Sequence, residues 1–222
     1  VACGFHAGDP LVMEKTVAAC KAAGVAVGAH PGFPDVMGFG RRNMACSPKE
    51  IKAYVQYQVG ALMAFTAAQG VELQHVKPHG ALYNMAAKDF DLALAIAQGV
   101  AAAAPKAILL GLAGSKLLEA GRQAGLRVAS EVFADRAYQA DGSLVPRSQP
   151  GAVIHDREEA ISRTLRMVTR GTATAITGEE VPIDAHSICV HGDNPSAVEF
   201  VQAIRDRLEG EGVAVAPISQ IV

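Results

Sequence analysis

The stretch "HVKPHGALY", residues 75 to 83, followed by "DFDLALAIAQGVAAA", residues 89 to 103, decides the fold. The first segment is a short apolar run that ends in a cluster of Pro, His and Gly, which is typical of a strand that runs into a turn. The second segment is long and rich in Ala and Leu, which favours an amphipathic helix. Together they predict a strand followed by a helix.

The same order of strand and helix occurs six times along the 222 residues. The predicted strand segments are 1–9, 25–33, 75–83, 107–115, 127–138 and 187–195. Each unit averages about 37 residues, close to the length of a βα repeat. Alternation of this kind predicts an α/β protein with a parallel sheet, either closed as a barrel or open and doubly wound. Since no low-complexity linker divides the chain, we predict a single domain over 1–222.

Composition narrows the class of protein further. Half of the residues are hydrophobic but only 5% are aromatic, so the core must consist mainly of Ala, Val, Leu and Ile. The net charge of −2 gives no nucleic-acid footprint, and no apolar run reaches the ~18 residues of a membrane span. The four scattered cysteines are typical of reduced thiols, which predicts a cytoplasmic protein.

Several helix boundaries can be predicted from capping residues. Ser47 and Glu50 form the pattern of a capping box with Pro at the first helical position, and Asp9 and Asp156 also precede helical segments. The segment 134–155 is too long for a plain turn, and loops of this length are usually functional or disordered.

Polar side chains are concentrated where the predicted strands end. Because the carboxyl ends of parallel strands meet at one edge, these residues are predicted to line a common site. They are His6, Asp9, His30, Lys77, His79, Asp135, Arg136, His191 and Asp193. Each could instead have a structural role, but four histidines in the same position favour a shared site. His75, by contrast, begins its strand and is predicted to be structural.

Two kinds of chemistry fit these residues. A metal site could use His6, His30, His79 and His191, although no HExxH motif or cysteine pair supports it. Acid–base catalysis on a carbonyl substrate is the other reading, with Lys77 as an electrostatic stabiliser.

Arginines beside the same strand ends indicate an anionic substrate. Arg42, Arg136 and Arg147 could hold a carboxylate, since the guanidinium group matches its geometry, although each could also be a solvated loop residue. Neither GxxxxGK[ST] nor GxGxxG is present, so the sequence contains no standard nucleotide-binding motif.

Six motifs resemble those of one known family. They are "VACGFHAGDP", "VGAHPGFPD", "GFGRR", "HVKPHGALYN", "FADRAYQADGSLVPRSQPGAVIH" and "ICVHGDNP". Together they are similar to the LamB/YcsF family over nearly the whole chain. The resemblance implies a (β/α)7 TIM-like barrel of the glycoside hydrolase/deacetylase type. Members begin with a further strand, so we expect this sequence to lack about 25 to 30 N-terminal residues, close to one βα unit.

The resemblance also implies an activity. Members work with the B and C subunits of a 5-oxoprolinase to convert 5-oxo-L-proline to L-glutamate with ATP hydrolysis. The catalytic residues would be His6, His30, Lys77, His79, His191 and Asp193. The substrate-binding residues would be Arg42, Asp135, Arg136 and Arg147. ATP would be bound largely by the partner subunits, while a divalent metal and a homo-oligomer are both compatible with the sequence.

Two other functions remain open at this point. One is a metal-dependent deacetylase or amide hydrolase that acts on a carbohydrate-like substrate, by analogy of fold. The other is a non-catalytic scaffold subunit. Stoichiometric metal would favour the first, and failure to bind 5-oxoproline would favour the second.

Overall fold

A computed structural model describes residues 1–190 and 197–222. The helices are α1 (Pro10–Ala22), α2 (Pro48–Ala68), α3 (Gly80–Ala86), α4 (Phe90–Ala103), α5 (Lys116–Gln123), α6 (Arg157–Arg170) and α7 (Ala197–Gly210). The strands are β1 (Val27–Ala29), β2 (Leu73–Val76), β3 (Ile108–Leu112), β4 (Val128–Phe133), β5 (Thr172–Thr174), β6 (Glu180–Pro182) and β7 (Ser187–Cys189). A short 3₁₀ helix, Ile218–Gln220, lies near the C-terminus. None of the described helices is long and apolar enough to cross a membrane.

The predicted helix caps are confirmed. The Ser47 side chain and the Glu50 side chain each accept from the other residue's backbone N–H, which completes the capping box of α2. The Asp9 and Asp156 carboxylates accept from backbone N–H groups in the first turns of α1 and α6. Gly171 ends α6 with a φ of 64°, a left-handed conformation that glycine adopts without steric cost.

Five strands form one sheet in the order β1-β2-β3-β4-β7. The registers of β1 with β2, β2 with β3 and β4 with β7 are all parallel. Ahead of β1, Ala2 forms an isolated parallel bridge with His30, so the first predicted strand is reduced to a bridge. The predicted α/β class with parallel strands and alternating helices is confirmed.

The described residues group into two compact units. The unit here called unit 1 comprises Val1–Gly111 and Ser115–Ala129. Its helices α2 and α4 pack so closely that a Cβ added to Gly99 on α4 would lie only 2.7 Å from the carbonyl oxygen of Lys52 on α2. The small residue on α4 therefore lets the two backbones approach, and the fully buried Val55 packs against it.

The other unit, unit 2, comprises Leu112–Gly114 and Ser130–Val222. Its core cluster joins α6 and α7 through the buried side chains Ala134, Ile161, Ile204 and Leu208. Strands β5 and β6 form an antiparallel pair that the sequence did not predict. The prediction of a single domain over 1–222 stays a prediction.

Candidate functional site

Three histidines from different parts of unit 1 lie in contact. His30 follows β1, His79 follows β2 and precedes α3, and His6 lies ahead of α1. Since β1 and β2 are parallel neighbours, their carboxyl ends place His30 and His79 at the same edge. We call His6, His30 and His79 the imidazole cluster.

The rings of the cluster adopt two distinct arrangements. The His6 and His79 rings stack, with centroids 3.9 Å apart and an interplanar angle of 4°. The His30 and His79 rings meet edge to face, and His79 Nδ1 lies 3.0 Å from His30 Nε2. His6 and His79 are 3% and 8% exposed, so the cluster is largely shielded from water.

The outer contacts of two rings fix their tautomers. His30 Nδ1 lies 2.7 Å from the Lys77 carbonyl oxygen, and His79 Nε2 lies 2.7 Å from the Phe39 carbonyl oxygen. A carbonyl only accepts, so both of these ring nitrogens carry a proton. If both rings were neutral, two lone pairs would then face each other at 3.0 Å. The contact between His79 Nδ1 and His30 Nε2 is therefore a hydrogen bond only when one of the two rings carries a second ring proton.

Burial favours the neutral forms of His30 and His6. Burial, the nearby Lys77 and His79 together hold the pKa of His30 well below its usual range. Burial and the adjacent His79 also lower the pKa of His6 to about 4, so His6 is neutral at pH 7. His30 is therefore the acceptor in any proton-sharing contact with His79.

The loop between β1 and α2 lies close against the cluster, and two of its glycines leave room for the rings. A Cβ on Gly32 would lie 2.7 Å from His6 Nδ1, and a Cβ on Gly40 would lie 2.9 Å from His79 Cδ2. Gly40 also has a φ of 64°, so a side chain there would be strained as well as crowded. His6 Nδ1 is buried and has no hydrogen-bond partner among the described residues, which leaves Nε2 as the nitrogen that can meet a reactant.

An ion pair holds the far side of this loop. Arg42 forms a charge-assisted pair with Asp35, whose carboxylate also accepts from the Gly38 N–H at 2.9 Å. The Arg42 guanidinium beside it holds the pKa of Asp35 at about 2. Arg42, predicted as a substrate ligand, therefore has an acidic partner within its own loop. Its role in substrate binding stays a prediction.

Lys77 lies beside the cluster. Its carbonyl accepts from His30, its backbone N–H donates to the Ala29 carbonyl at 2.9 Å, and its ammonium lies 5.7 Å from the centre of the Tyr83 ring. The ammonium is also close enough to lower the pKa of His30. Lys77 thus adds positive charge beside the cluster, and its role as an electrostatic stabiliser stays a prediction.

The predicted site residues after β4 belong to unit 2. Arg136 is 6% exposed, and its guanidinium donates to the carbonyls of Ala152 at 3.2 Å and Val145 at 2.5 Å. Burial and the nearby Arg147 lower the pKa of Arg136. Asp135 is half-buried and its backbone carbonyl accepts from the Ile154 N–H at 2.9 Å. Arg147 is exposed, and Asp135, Arg136 and Arg147 all remain predicted substrate ligands.

Two predicted catalytic residues, His191 and Asp193, lie outside the described residues. Within residues 1–190 and 197–222, no group of three or more His, Cys, Asp or Glu side chains is arranged to hold a metal ion. The predicted metal role of His6, His30, His79 and His191 stays a prediction.

Comparison with a protein-family model decides which family this is. The model described as the LamB/YcsF family matches residues 1–222. The chain belongs to the LamB/YcsF family.

Relatives of high similarity carry one name, that of the A subunit of 5-oxoprolinase. The protein of that name from Alkaliphilus metalliredigens (strain QYMF) is 60% identical over 222 residues, which cover all of this chain and 87% of that protein. Its counterpart from Pyrococcus furiosus is 56% identical, with the same coverage of both chains. The crystal structure of a lactam utilization protein from Thermus thermophilus superposes with a TM-score of 0.89 at 52% identity, over 96% of this chain and 85% of that one.

Two buried residues of this LamB/YcsF chain were missed by sequence reasoning. Asp35 lies within a loop motif that was recognised as a whole, yet its carboxylate organises that loop. Gln58 is fully buried on α2 and bonded to Gly32. A signal for Gln58 was present: it lies between Val55 and Leu62 on the apolar stripe of its helix, where a polar residue is unusual.

Proposed function

We propose that this chain acts as the A subunit of an ATP-dependent 5-oxoprolinase, which opens the lactam ring of 5-oxo-L-proline to give L-glutamate. The observation that carries the proposal is the imidazole cluster, with His79 Nδ1 3.0 Å from His30 Nε2, found in a chain whose relatives carry this name. The neighbouring structure, titled a lactam utilization protein, supports a cyclic amide as substrate.

The chemistry explains why ATP is needed. A five-membered lactam is a stable amide, and transfer of the γ-phosphoryl group of ATP to its oxygen makes the ring carbon a better electrophile and leaves ADP. Water then adds to that carbon, and the carbon–nitrogen bond breaks to give an open-chain acyl phosphate. The ring nitrogen gains a proton in this step. A second water releases phosphate from the acyl phosphate and leaves the new carboxylate of glutamate.

The imidazole cluster suits the charge and the proton of this reaction. A neutral His6 presents Nε2–H as a donor to a negatively charged oxygen, because Nδ1 is packed against Gly32. In the proposed mechanism, a proton shared by His79 and His30 places positive charge directly behind the His6 ring and strengthens that donor. The same pair stores a proton of the kind that the opening ring nitrogen consumes.

Other parts of the reaction are assigned to partners and to the remaining predicted residues. The sequence has no standard nucleotide-binding motif, so the B and C subunits would supply the ATP site. A guanidinium group among Arg42, Arg136 and Arg147 would hold the substrate carboxylate, and His191 or Asp193 would position the attacking water. An ATP-consuming reaction fits the cytoplasm that the scattered cysteines predict.

Glutamate release from 5-oxoproline tests the proposal. The purified chain would be assayed with ATP, first alone and then with its candidate B and C subunits. We expect glutamate and phosphate in equal amounts from the complete set only. Release of glutamate without ATP, or no release from the complete set, would contradict the proposal. Calorimetry with 5-oxoproline separates a catalytic subunit from a scaffold, since a scaffold binds no substrate.

A further inference from the structure

Gln58 is a fully buried glutamine in the middle of α2, a position where an amide needs partners of its own. Its Oε1 accepts from the Gly32 N–H and its Nε2 donates to the Gly32 carbonyl, both at 2.9 Å. Nε2 also donates to the Tyr54 carbonyl at 3.0 Å. The side chain thus pairs with both polar groups of Gly32, as a neighbouring strand would.

The Gly32 residue held in this way is in contact with the imidazole cluster. A Cβ placed on it would lie 2.7 Å from His6 Nδ1, so the backbone of Gly32 is the surface against which the His6 ring rests. The preceding carbonyl, that of Pro31, accepts from the His79 backbone N–H at 2.8 Å. The segment that Gln58 fastens therefore borders two of the three rings.

We propose that Gln58 is a positioning residue for the reaction at the imidazole cluster, acting on His6 through Gly32 and on His79 through the carbonyl of Pro31. This inference rests on the proposed function. Misplacement of a catalytic group by about 1 Å can lower the rate about 100-fold. The hydrogen bonds between Gln58 and Gly32 hold the backbone that contacts the rings, so we expect their loss to have a large effect on the rate.

The chemistry of the amide explains why no apolar residue serves in its place. An apolar side chain of similar length would fill the same volume but leave the buried N–H and C=O of Gly32 without partners. The segment would then shift to find other partners, and Gly32 would move relative to the His6 ring. A neutral carboxylic acid, by contrast, offers one donor and one acceptor in nearly the same places.

Two substitutions at Gln58 and the same two at Gln56 test the proposal in the complete enzyme. Gln56 lies on the same helix but is exposed, so it is the matched control. For Gln58→Met we expect kcat to fall about 10- to 100-fold with KM for 5-oxoproline within about threefold, and Gln56→Met to match the wild type. Wild-type kcat in Gln58→Met, or equal losses in both variants, would overturn the proposal.

The pH profile of Gln58→Glu separates positioning from packing. Burial raises the pKa of an introduced carboxyl, so at low pH it is protonated and replaces both bonds to Gly32. We expect this variant to approach wild-type turnover at low pH and to lose activity as the pH rises, which Gln56→Glu does not. A profile parallel to that of the wild type would overturn the proposal. This variant also serves if Gln58→Met fails to fold.

A measurement without turnover keeps this proposal distinct from the proposed function. Histidine ¹⁵N spectra of the full chain would be compared for wild type, Gln58→Met and Gln56→Met. We expect the His6 ring resonances to move in Gln58→Met only. Unchanged His6 resonances would overturn the positioning role even if glutamate is formed, whereas an inactive wild-type complex with moved resonances would contradict only the proposed function.

Discussion

The polar residues that follow β1 and β2 in unit 1 behave differently from those that follow β4 in unit 2. In unit 1, the side chains of His30 and His79 contact each other and also contact His6, which lies ahead of α1. In unit 2, the side chain of Arg136 donates to carbonyls of its own loop. Both sets occupy the position where parallel α/β folds place active sites.

The difference shows what determines whether a polar side chain at a strand end bonds to its own loop or is available for a functional site. The glycine-rich loop after β1 in unit 1 has backbone groups that are bonded from α2 and α3: Gln58 pairs with Gly32, and the Ala81 N–H donates to the Gly40 carbonyl. The rings beside this loop remain in contact with one another. The loop over 134–155 in unit 2 is long, and its buried carbonyls need donors. Arg136 supplies two of them. A polar residue at a strand end is therefore a site candidate only after the needs of its own loop are met.

The largest effect is expected for His79→Gln in the complete enzyme. The substitution removes the proposed shared proton and its charge behind His6, so kcat should fall about 100-fold or more. His75→Gln is the control, because His75 lies within β2 and outside the cluster. Glutamate release measures both variants, and thermal unfolding shows that both are folded. Wild-type turnover in His79→Gln would remove His79 from the reaction.

The next largest effect contrasts two glycines that share a positive φ. Gly40 has a φ of 64°, and a Cβ added there would lie 2.9 Å from His79 Cδ2 and 3.0 Å from His6 Cβ. Gly142 in unit 2 has a φ of 79°, and a Cβ added there would lie 3.5 Å from Val181 Cγ1. Alanine at either position should cost about 1 kcal/mol of stability from its backbone conformation. Only Gly40→Ala should also lower kcat, about tenfold or more, because the new Cβ displaces a ring. Equal activity in both variants would contradict the enclosure of the cluster by this loop.

For unit 2, Arg136→Met should act mainly on stability. Loss of the guanidinium removes the Arg136 donor from the buried Val145 carbonyl and leaves the Ala152 carbonyl with the Ala137 N–H alone, so the free energy of unfolding should fall by about 1 to 3 kcal/mol. Urea denaturation measures this loss, and limited proteolysis should show faster cleavage within 139–151. A rise in KM for 5-oxoproline without loss of stability would instead support the predicted role of Arg136 in substrate binding.

A smaller effect is expected on the stability of the folded chain at low pH. Burial lowers the pKa of His6 and of His75 to about 4 and that of His30 well below its usual range. At these three histidines the unfolded chain takes up protons near pH 6.5 that the folded chain does not bind, so their contribution to stability is complete above about pH 6.5 and is lost towards pH 4. Urea unfolding should give a lower free energy at pH 5 than at pH 7.5, by about 1 to 3 kcal/mol. His6→Asn should show a weaker dependence, and identical pH profiles would contradict the burial of a neutral His6.

Much of the fold could be predicted from local signals. Capping residues such as Ser47 and Asp156 act within one helical turn, so they can be recognised without tertiary information. The β5–β6 pair could not be predicted, because strands of three residues leave almost no periodic pattern. The parallel direction of the strands could be predicted from the repeated alternation of strand and helix.

The site was predictable in its position but not in its chemistry. Strand-end placement brought His6, His30 and His79 together as expected. Their charge state, however, depends on whether a particular carbonyl, such as that of Phe39 or Lys77, meets a particular ring nitrogen. Such contacts arise from loop geometry that no spacing in the sequence encodes. The same holds for Gln58, whose partner Gly32 lies 26 residues away.

The number of protons on the His30–His79 pair tests the central claim most directly. In ¹⁵N-histidine spectra of the chain at pH 7.5, we expect three protons on the four ring nitrogens, with one of them giving a ¹⁵N–¹⁵N coupling between His79 Nδ1 and His30 Nε2. Two neutral rings with one proton each and no coupling would contradict the claim, because the cluster would then hold neither the charge nor the proton that the proposed reaction uses.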